Sequence, residues 1–168
     1  MKIAITGHRP NALYGYDLKH PCYGLIWNAV RQVMLDNGCT DLYTGMALGT
    51  DQLAAMAVID LKKAGHDIKL HAAIPCQGHS SKWPKASQEL YDQILAQCDT
   101  RTLVTDAPYS PRAMQLRNIW MVDRADMVIA VYENGKAGGT KNCVDYALSK
   151  GKPVWCIPPR AIDCAKFL

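Results

Sequence analysis

The sequence has no long uninterrupted apolar segment. None of its hydrophobic runs approaches the roughly 18 residues that a membrane-spanning helix needs. The N-terminal stretch MKIAITGHRP turns polar within a few residues, so it lacks the apolar region of a signal peptide. We therefore expect a cytoplasmic protein that has no membrane partner.

Paired cysteine motifs are also missing. The chain has seven cysteines, no two of which form a C-x-x-C pair, and its five histidines do not accompany them at the spacing of zinc ligands. An odd, dispersed set in a chain without a secretion signal predicts free thiols and no metal site. The seven are Cys22, Cys39, Cys76, Cys98, Cys143, Cys156 and Cys164.

Common catalytic and cofactor fingerprints are absent as well. The sequence contains no G-x-S-x-G, no P-loop and no dinucleotide-binding G-x-G-x-x-G. It shows no nucleophile–base constellation, so it leaves open whether the protein is an enzyme, and it predicts no cofactor. The formal net charge of +4 comes from scattered lysines and arginines, which permits polyanion binding without requiring it.

What the sequence does contain is a regular alternation of strand-like and helix-like segments. Its 168 residues fit one globular domain over residues 1–168. Strands are predicted at 2–6, 41–44, 68–74, 101–105, 127–132 and 153–157, and helices at 24–37, 51–64, 87–98, 111–124 and 140–150. This order predicts an α/β fold, a single Rossmann-like domain with a mainly parallel sheet and helices on both faces.

Helix starts are marked by small polar residues. Ser110 followed by Pro111 predicts an N-cap with proline at the first helical position. Thr50 and Thr140 are predicted to be the N-caps of the second and fifth helices.

Ligands of open parallel sheets bind beyond the carboxyl ends of the strands. The best candidate there is the loop from Gly135 through Lys136, Gly138 and Gly139 to Thr140. Glycines let a ligand approach the backbone closely, and a helix N-terminus offers unpaired N–H groups to an anion. We expect this loop to bind phosphate; the alternative is a flexible turn before an ordinary helix.

Two further loops follow strands at the same predicted edge. Gly45 and Gly49 lie in an apolar, glycine-rich loop that suits a sugar or base, and Asp51 suits ribose hydroxyls. The alternative role for Asp51 is to complement the helix dipole. His8 and Arg9 follow Gly7 as donors, with an ordinary surface loop as the alternative.

Four residues in other segments complete the candidate set: Pro75, Trp83, Arg117 and Asn118. Arg117, next to Asn118, is predicted to hold an anion from inside a helix, with a solvated helix face as the alternative. Trp83, in the loop that begins at Pro75, suits stacking on a base or covering the core.

These pieces occur in an order that resembles the YpsA-like family of the SLOG superfamily, relatives of the DprA and Lonely Guy proteins. The segments that carry the resemblance are 5–10, 45–51, 74–77 with Trp83, 117–123 and 138–142. The resemblance implies a Rossmann-like domain that binds a nucleotide or an ADP-ribose-like molecule. We expect the protein to act as a sensor or sequestering module for this ligand. The expected ligand-binding residues are Gly7, His8, Arg9, Gly45, Gly49, Asp51, Pro75, Trp83, Arg117, Asn118, Gly135, Gly138, Gly139 and Thr140.

The resemblance leaves two other functions open. Lonely Guy proteins are phosphoribohydrolases, whose motif places carboxylates where this chain has Asn142 and Cys143. DprA proteins bind single-stranded DNA, which makes single-stranded nucleic acid a further candidate partner. We expect Trp27, Trp120 and Trp155 to lie in the core. The alternative is that one of them joins two copies of the chain in a homo-oligomer.

Overall fold

The computed structural model describes residues 1–161. Its strands are β1 (Lys2–Gly7), β2 (Asp41–Thr44), β3 (Lys69–Ile74), β4 (Thr100–Leu103), β5 (Met127–Val131) and β6 (Val154–Ile157). Its α-helices are α1 (Pro21–Asp36), α2 (Thr50–Lys63), α3 (Lys85–Ala96), α4 (Pro111–Arg124) and α5 (Gly139–Ser149), with short 3-10 turns at Pro10–Ala12 and Pro159–Ala161. The predicted elements are therefore all present.

The six strands form one parallel sheet in the order β4-β3-β2-β1-β5-β6. The chain builds outward from β1 to β4 and then returns to the other side of β1 to add β5 and β6. The strand order therefore reverses between β1 and β5, which is where a crevice opens at the carboxyl edge of such a sheet. This confirms the predicted Rossmann-like α/β fold.

Helices cover both faces of the sheet. Helices α1, α2 and α3 enclose the larger apolar cluster, which includes Ile5 and Ile129 of the central strands. Helices α4 and α5 enclose a second cluster with Ala4 and Val128, which point the opposite way. Every residue of β5 is buried, because this strand has neighbours on both edges and helices on both faces.

The helix starts follow the prediction at α4 and differ from it elsewhere. Ser110 accepts a hydrogen bond from Ala113 N at 3.0 Å, so the predicted cap is confirmed. Helices α2 and α5 instead have Gly49 and Gly138 as N-caps, and neither forms a side-chain cap bond. The predicted caps at Thr50 and Thr140 were wrong because each threonine lies one or two residues inside its helix.

The cysteine prediction holds in part. The free cysteines among the described residues are Cys39, Cys76, Cys98, Cys143 and Cys156. Cys22 is disulfide-bonded, so the expectation of a free thiol was wrong for this residue. The reason is that spacing along the chain does not reveal which cysteines the fold brings together. Burial raises the pKa of Cys39, Cys98 and Cys143 to about 11, which disfavours the reactive thiolate form of these three side chains. Cys164 lies outside the described residues.

Three further observations concern surfaces and sites. Within residues 1–161, no helix combines the length and apolar character that a bilayer crossing requires. In the same part of the chain, His, Cys, Asp and Glu side chains form no group of three able to hold a metal ion. Trp155 is 53% exposed, contrary to the expected core position, because β6 is an edge strand.

Candidate functional site

A cleft of about 470 Å³ lies at the carboxyl ends of β1 and β5, where the strand order reverses. Five segments line it: the exit of β1, the start of α2, the loop before α4, the inner face of α4 and the loop that leads into α5. These segments are far apart in sequence and meet because parallel strands end at one edge of the sheet.

A buried ion pair forms part of the cleft lining. Arg117 Nη1 lies 3.4 Å from Asp51 Oδ2, and their side chains are only 7% and 6% exposed. This distance exceeds the roughly 2.7–2.9 Å of a tight charge-assisted bond. Arg117 Nε has no hydrogen-bond partner among the described residues. The guanidinium therefore keeps donor capacity that Asp51 does not use.

The loop between β2 and α2 positions Asp51. Asp51 Oδ2 accepts a hydrogen bond from Ala47 N at 3.2 Å, and Asp51 O accepts one from Thr44 Oγ1 at 3.0 Å. Met46 has a φ of 58°, a conformation that costs a non-glycine residue about 1–3 kcal/mol. Burial raises the pKa of the Asp51 carboxyl, and the charge of Arg117 opposes this effect. The surrounding structure therefore keeps the Asp51–Arg117 pair buried and holds the loop at Met46 in its strained conformation.

Three glycines allow the loops to approach each other. A Cβ atom at Gly7 would overlap the side chain of Thr50, and one at Gly45 would overlap the guanidinium of Arg117. Gly49 has a φ of 88°, and a Cβ atom there would lie 2.9 Å from His8 O. These positions need glycine for packing within the protein.

His8 connects the exits of β1 and β5. Its backbone N donates to Val131 O at 2.9 Å, and its ring Nε2 lies 3.0 Å from Glu133 N. Because a backbone N–H can only donate, Nε2 must be the acceptor, which places the ring proton on Nδ1. Burial lowers the pKa of His8, and the positive charge of Lys136 lowers it further. His8 is therefore held in its neutral form.

The N-terminus of α5 opens into the cleft. Its N-cap, Gly138, has a φ of 143° and no side chain, so the first amides of the helix carry no side-chain cap. Asn118 Nδ2 donates to Gly139 O at 3.3 Å and thereby ties α4 to the start of α5. Uncapped N–H groups and the helix dipole favour an anion at this position.

His79 is buried in the loop after β3. Its ring packs edge-on against Trp83 and Tyr91, with centroids 5.0 and 6.2 Å away, and neither ring nitrogen has a hydrogen-bond partner among the described residues. Burial lowers the pKa of His79 to about 3, and the charges of Arg117 and Arg9 act in the same direction. His79 is therefore neutral and belongs to the packing of this loop.

The structure brings nine of the fourteen predicted site residues into the cleft lining. They are Gly7, His8, Arg9, Asp51, Arg117, Asn118, Gly138, Gly139 and Thr140. The other five lie elsewhere: Gly45 and Gly49 pack beneath the loops, Pro75 is buried after β3, Trp83 packs on His79 and Tyr91, and Gly135 is exposed in the turn before the cleft. The predicted alternative of a solvated helix face is wrong for Arg117 and Asn118, both of which are buried.

Sequence reasoning missed much of the lining. The missed residues include Asn11, Ala12, Tyr109, Pro111, Met114, Gln115 and Asn142. Pro111, Met114, Gln115 and Asn118 recur at the spacing of one helix face, which was a usable signal once Asn118 was a candidate. Among the described residues that line the cleft, Asp51 is the only one with a carboxylate.

Comparison with known proteins identifies the family. A family model named YpsA, which describes the YspA SLOG family, matches residues 3–159. The chain belongs to the YspA SLOG family. The resemblance predicted from the ordered glycine and arginine segments is therefore confirmed.

Bacterial proteins named UPF0398 are also similar to this YspA SLOG protein. The UPF0398 proteins of Bacillus cereus (strain G9842) and Bacillus thuringiensis (strain Al Hakam) are each 29% identical to it over 154 residues. These matches cover 89% of this chain and 84% of each relative.

Two solved structures of DNA processing protein A share the fold. The protein of Streptococcus pneumoniae matches with a TM-score of 0.63 at 20% identity, and that of Helicobacter pylori with 0.65 at 21%. Each match covers 94% of this YspA SLOG protein, which spans 50% of the first protein and 65% of the second. The H. pylori structure is described as giving insight into a single-stranded DNA binding mode.

Proposed function

We propose that the cleft binds a nucleotide or a nucleotide-derived molecule and that the protein acts as a sensor or sequestering module for it. The observation that carries this proposal is the incompletely paired guanidinium of Arg117 in a cleft that also receives the uncapped start of α5. Both groups suit one ligand chemistry, a phosphate.

Charge around the cleft supports the same ligand. The lining contains three cationic side chains, Arg9, Arg117 and Lys136, and one carboxylate, Asp51, which leaves a surplus of two positive charges. Arg9 is exposed at the rim, whereas Arg117 is buried. A phosphate that enters past Arg9 would therefore reach a second guanidinium at Arg117, where burial strengthens the electrostatic attraction.

The size of the cleft suits a small organic ligand. Its volume of about 470 Å³ falls within the range of about 300–1,000 Å³ that is typical of small-molecule sites. The lining adds the amide side chains of Asn11, Gln115 and Asn142 and the ring of Tyr109, which suit a base and its sugar. We therefore propose one nucleotide-sized occupant with its phosphate at the start of α5.

Binding fits this cleft better than N-glycosidic hydrolysis. That reaction has an oxocarbenium-like transition state, which needs an available carboxylate or a general acid for the leaving base. Among the described lining residues the one carboxylate, Asp51, is buried and paired with Arg117. His8 is held neutral by its bond to Glu133 N, which makes it a poor proton donor to a leaving group.

Differential scanning fluorimetry and calorimetry with inorganic phosphate, AMP, GMP and ADP-ribose test the proposal. A ligand of the native state at 100 times its Kd should stabilise the protein by about 2.7 kcal/mol. Arg9→Gln should weaken binding about tenfold or more, whereas Arg112→Gln, an exposed arginine of α4 outside the cleft, should not. Absence of any shift at millimolar concentrations of all four compounds contradicts the proposal.

Single-stranded DNA is a second candidate partner. The observation in its favour is the shared fold with the H. pylori protein, whose structure is described in terms of single-stranded DNA binding. Filter binding with an oligonucleotide at several salt concentrations tests it, because phosphate contacts make affinity fall steeply with salt. A complex that is absent at 50 mM salt removes this candidate.

A further inference from the structure

We propose that Thr100 is an acyl-accepting residue: its hydroxyl, with His71 as the base and Asp41 orienting that base, attacks activated acyl esters. The three side chains come from the neighbouring strands β4, β3 and β2, and none of them lines the cleft. They form a separate site that does not depend on the proposed function. The sequence did not reveal this group because its members are 29 and 30 positions apart and meet only in the paired sheet.

The register of the sheet places the three side chains on one face. His71 is paired with Thr100 of β4 on one side and with Tyr43 of β2 on the other. Paired residues point to the same face of a sheet, and so do residues two apart in one strand, which brings Asp41 to the face of Tyr43. Because β4 is an edge strand and Thr100 is exposed, an electrophile can reach the hydroxyl from solvent.

His71 bridges the carboxylate and the hydroxyl. Its Nε2 lies 2.8 Å from Asp41 Oδ1, and its Nδ1 lies 2.8 Å from Thr100 Oγ1. An ionised carboxylate can only accept hydrogen bonds, so Nε2 carries the ring proton, and the neutral ring offers the lone pair of Nδ1 to the Thr100 hydroxyl. A hydroxyl, a base within hydrogen-bond reach and a group that orients the base together make an activated nucleophile.

Further contacts hold the base in place. The Tyr43 ring stacks on the imidazole of His71, with centroids 4.7 Å apart and planes inclined by 19°. Thr40 Oγ1 donates to Asp41 Oδ2 at 2.8 Å. Burial by itself raises the pKa of the Asp41 carboxyl, but the hydrogen bonds from His71 and Thr40 bring it below its ordinary value, which keeps Asp41 ionised. The side chains of Asp41 and His71 are only 19% and 12% exposed, so the base is fixed while the nucleophile is accessible.

The reaction follows from these positions. Thr100 Oγ1 attacks the carbonyl carbon of the ester, and its proton passes to His71 Nδ1. A bond forms between Oγ1 and the carbonyl carbon, the bond from that carbon to the leaving oxygen breaks, and the proton on Nδ1 passes to the leaving oxygen. Asp41 stabilises the imidazolium that forms in between. The products are an O-acyl threonine and the free alcohol.

Incubation of the full chain with p-nitrophenyl acetate tests the proposal, with peptide mass spectrometry to locate the acetyl groups. We expect acetylation of Thr100 to be at least about tenfold faster in the wild type than in His71→Gln, because general-base catalysis contributes about 10²–10⁴-fold. Thr100→Ser keeps a hydroxyl and should still be acetylated, whereas Thr100→Val should not. Thr102→Val is the matched control, since Thr102 lies two residues along the same strand on the same face, and this change should leave acetylation of Thr100 unchanged.

Nitrogen-15 NMR of the wild-type protein tests the role of Asp41 without any substitution. We expect the proton of the neutral His71 ring on Nε2. Asp41→Asn offers Nε2 an amide donor in place of the carboxylate, so it should move the proton to Nδ1 and slow acetylation to the rate of His71→Gln. Thermal midpoints show that each variant is folded. Equal acetylation of Thr100 in the wild type and in His71→Gln, or a wild-type ring proton on Nδ1, would refute the proposal.

Discussion

Gly45 lies directly against the guanidinium of Arg117, and the space that a Cβ atom would take at this position is filled by Nη1. The two residues are 72 positions apart in numbering, 117 − 45, and belong to the exit of β2 and the middle of α4. This contact explains why a glycine outside the cleft lining still determines where the buried cation of the cleft lies.

Gly45→Ala should therefore displace Arg117. We expect a loss of about 1–3 kcal/mol in the free energy of unfolding, because the methyl group overpacks a buried site, together with weaker phosphate binding. The control is Gly24→Ala in α1, where a Cβ atom meets nothing within 4 Å. That change should stabilise the protein by about 0.5–1 kcal/mol. Urea unfolding measures the free energy of unfolding of both variants. Equal effects of the two substitutions would contradict the close contact between Gly45 and Arg117.

Arg117→Ala and Asp51→Asn should each destabilise the fold. Each change leaves one buried charge of the pair without its partner, which costs about 3–5 kcal/mol. The double variant Arg117→Ala/Asp51→Asn should recover part of this loss, because neither charge remains. A double-mutant cycle from chemical denaturation gives the coupling energy. Purely additive effects would show that the two side chains do not interact in solution.

His79 should make the protein progressively less stable in acid. Its pKa is lowered from 6.5 to about 3 in the folded protein, so the unfolded chain binds more protons between these values. The stability that the neutral ring contributes is fully present above pH 6.5 and is lost as the pH falls towards 3. His79→Leu should flatten the dependence of the unfolding free energy on pH in this window. An unchanged slope would contradict the burial of the ring.

His8 should carry its proton on Nδ1. Nitrogen-15 NMR of the ring distinguishes the two tautomers, and we expect the Nε2 signal of an acceptor. The pKa of His8 is lowered, so its stabilising bond to Glu133 N persists above 6.5 and is lost as the pH falls through the folded value. His8→Gln keeps an acceptor and should preserve slow amide exchange at Glu133, whereas His8→Leu should accelerate it. A proton found on Nε2 would refute this geometry.

The fold was predictable because each element carries a local signal. The continuous apolar run around β5 and the Ser110–Pro111 start of α4 are decided by neighbouring residues, and both lie where the sequence places them. The common edge of parallel strands then predicted that Arg9, Asp51 and Gly139 would converge, and all three line one cleft.

The rest of the site depends on contacts between distant residues. Nothing near Trp83 in the sequence shows that His79 and Tyr91 hold its ring away from the cleft. That Asp51 contacts a ribose stays a prediction, and no local pattern links Asp51 to Arg117, against which the fold places it. Gly45 likewise lies in a glycine-rich loop of the kind that binds ligands, but the fold packs it against the guanidinium of Arg117.

The Asn118–Gly139 hydrogen bond holds α4 to α5 at the wall of the cleft. Arg9, Tyr109 and Lys136 line the cleft and are exposed, so the proposed ligand would meet these side chains as it enters. Two of these three are cations, so the arrival rate of a negatively charged guest should fall as ionic strength rises, while its departure rate changes far less.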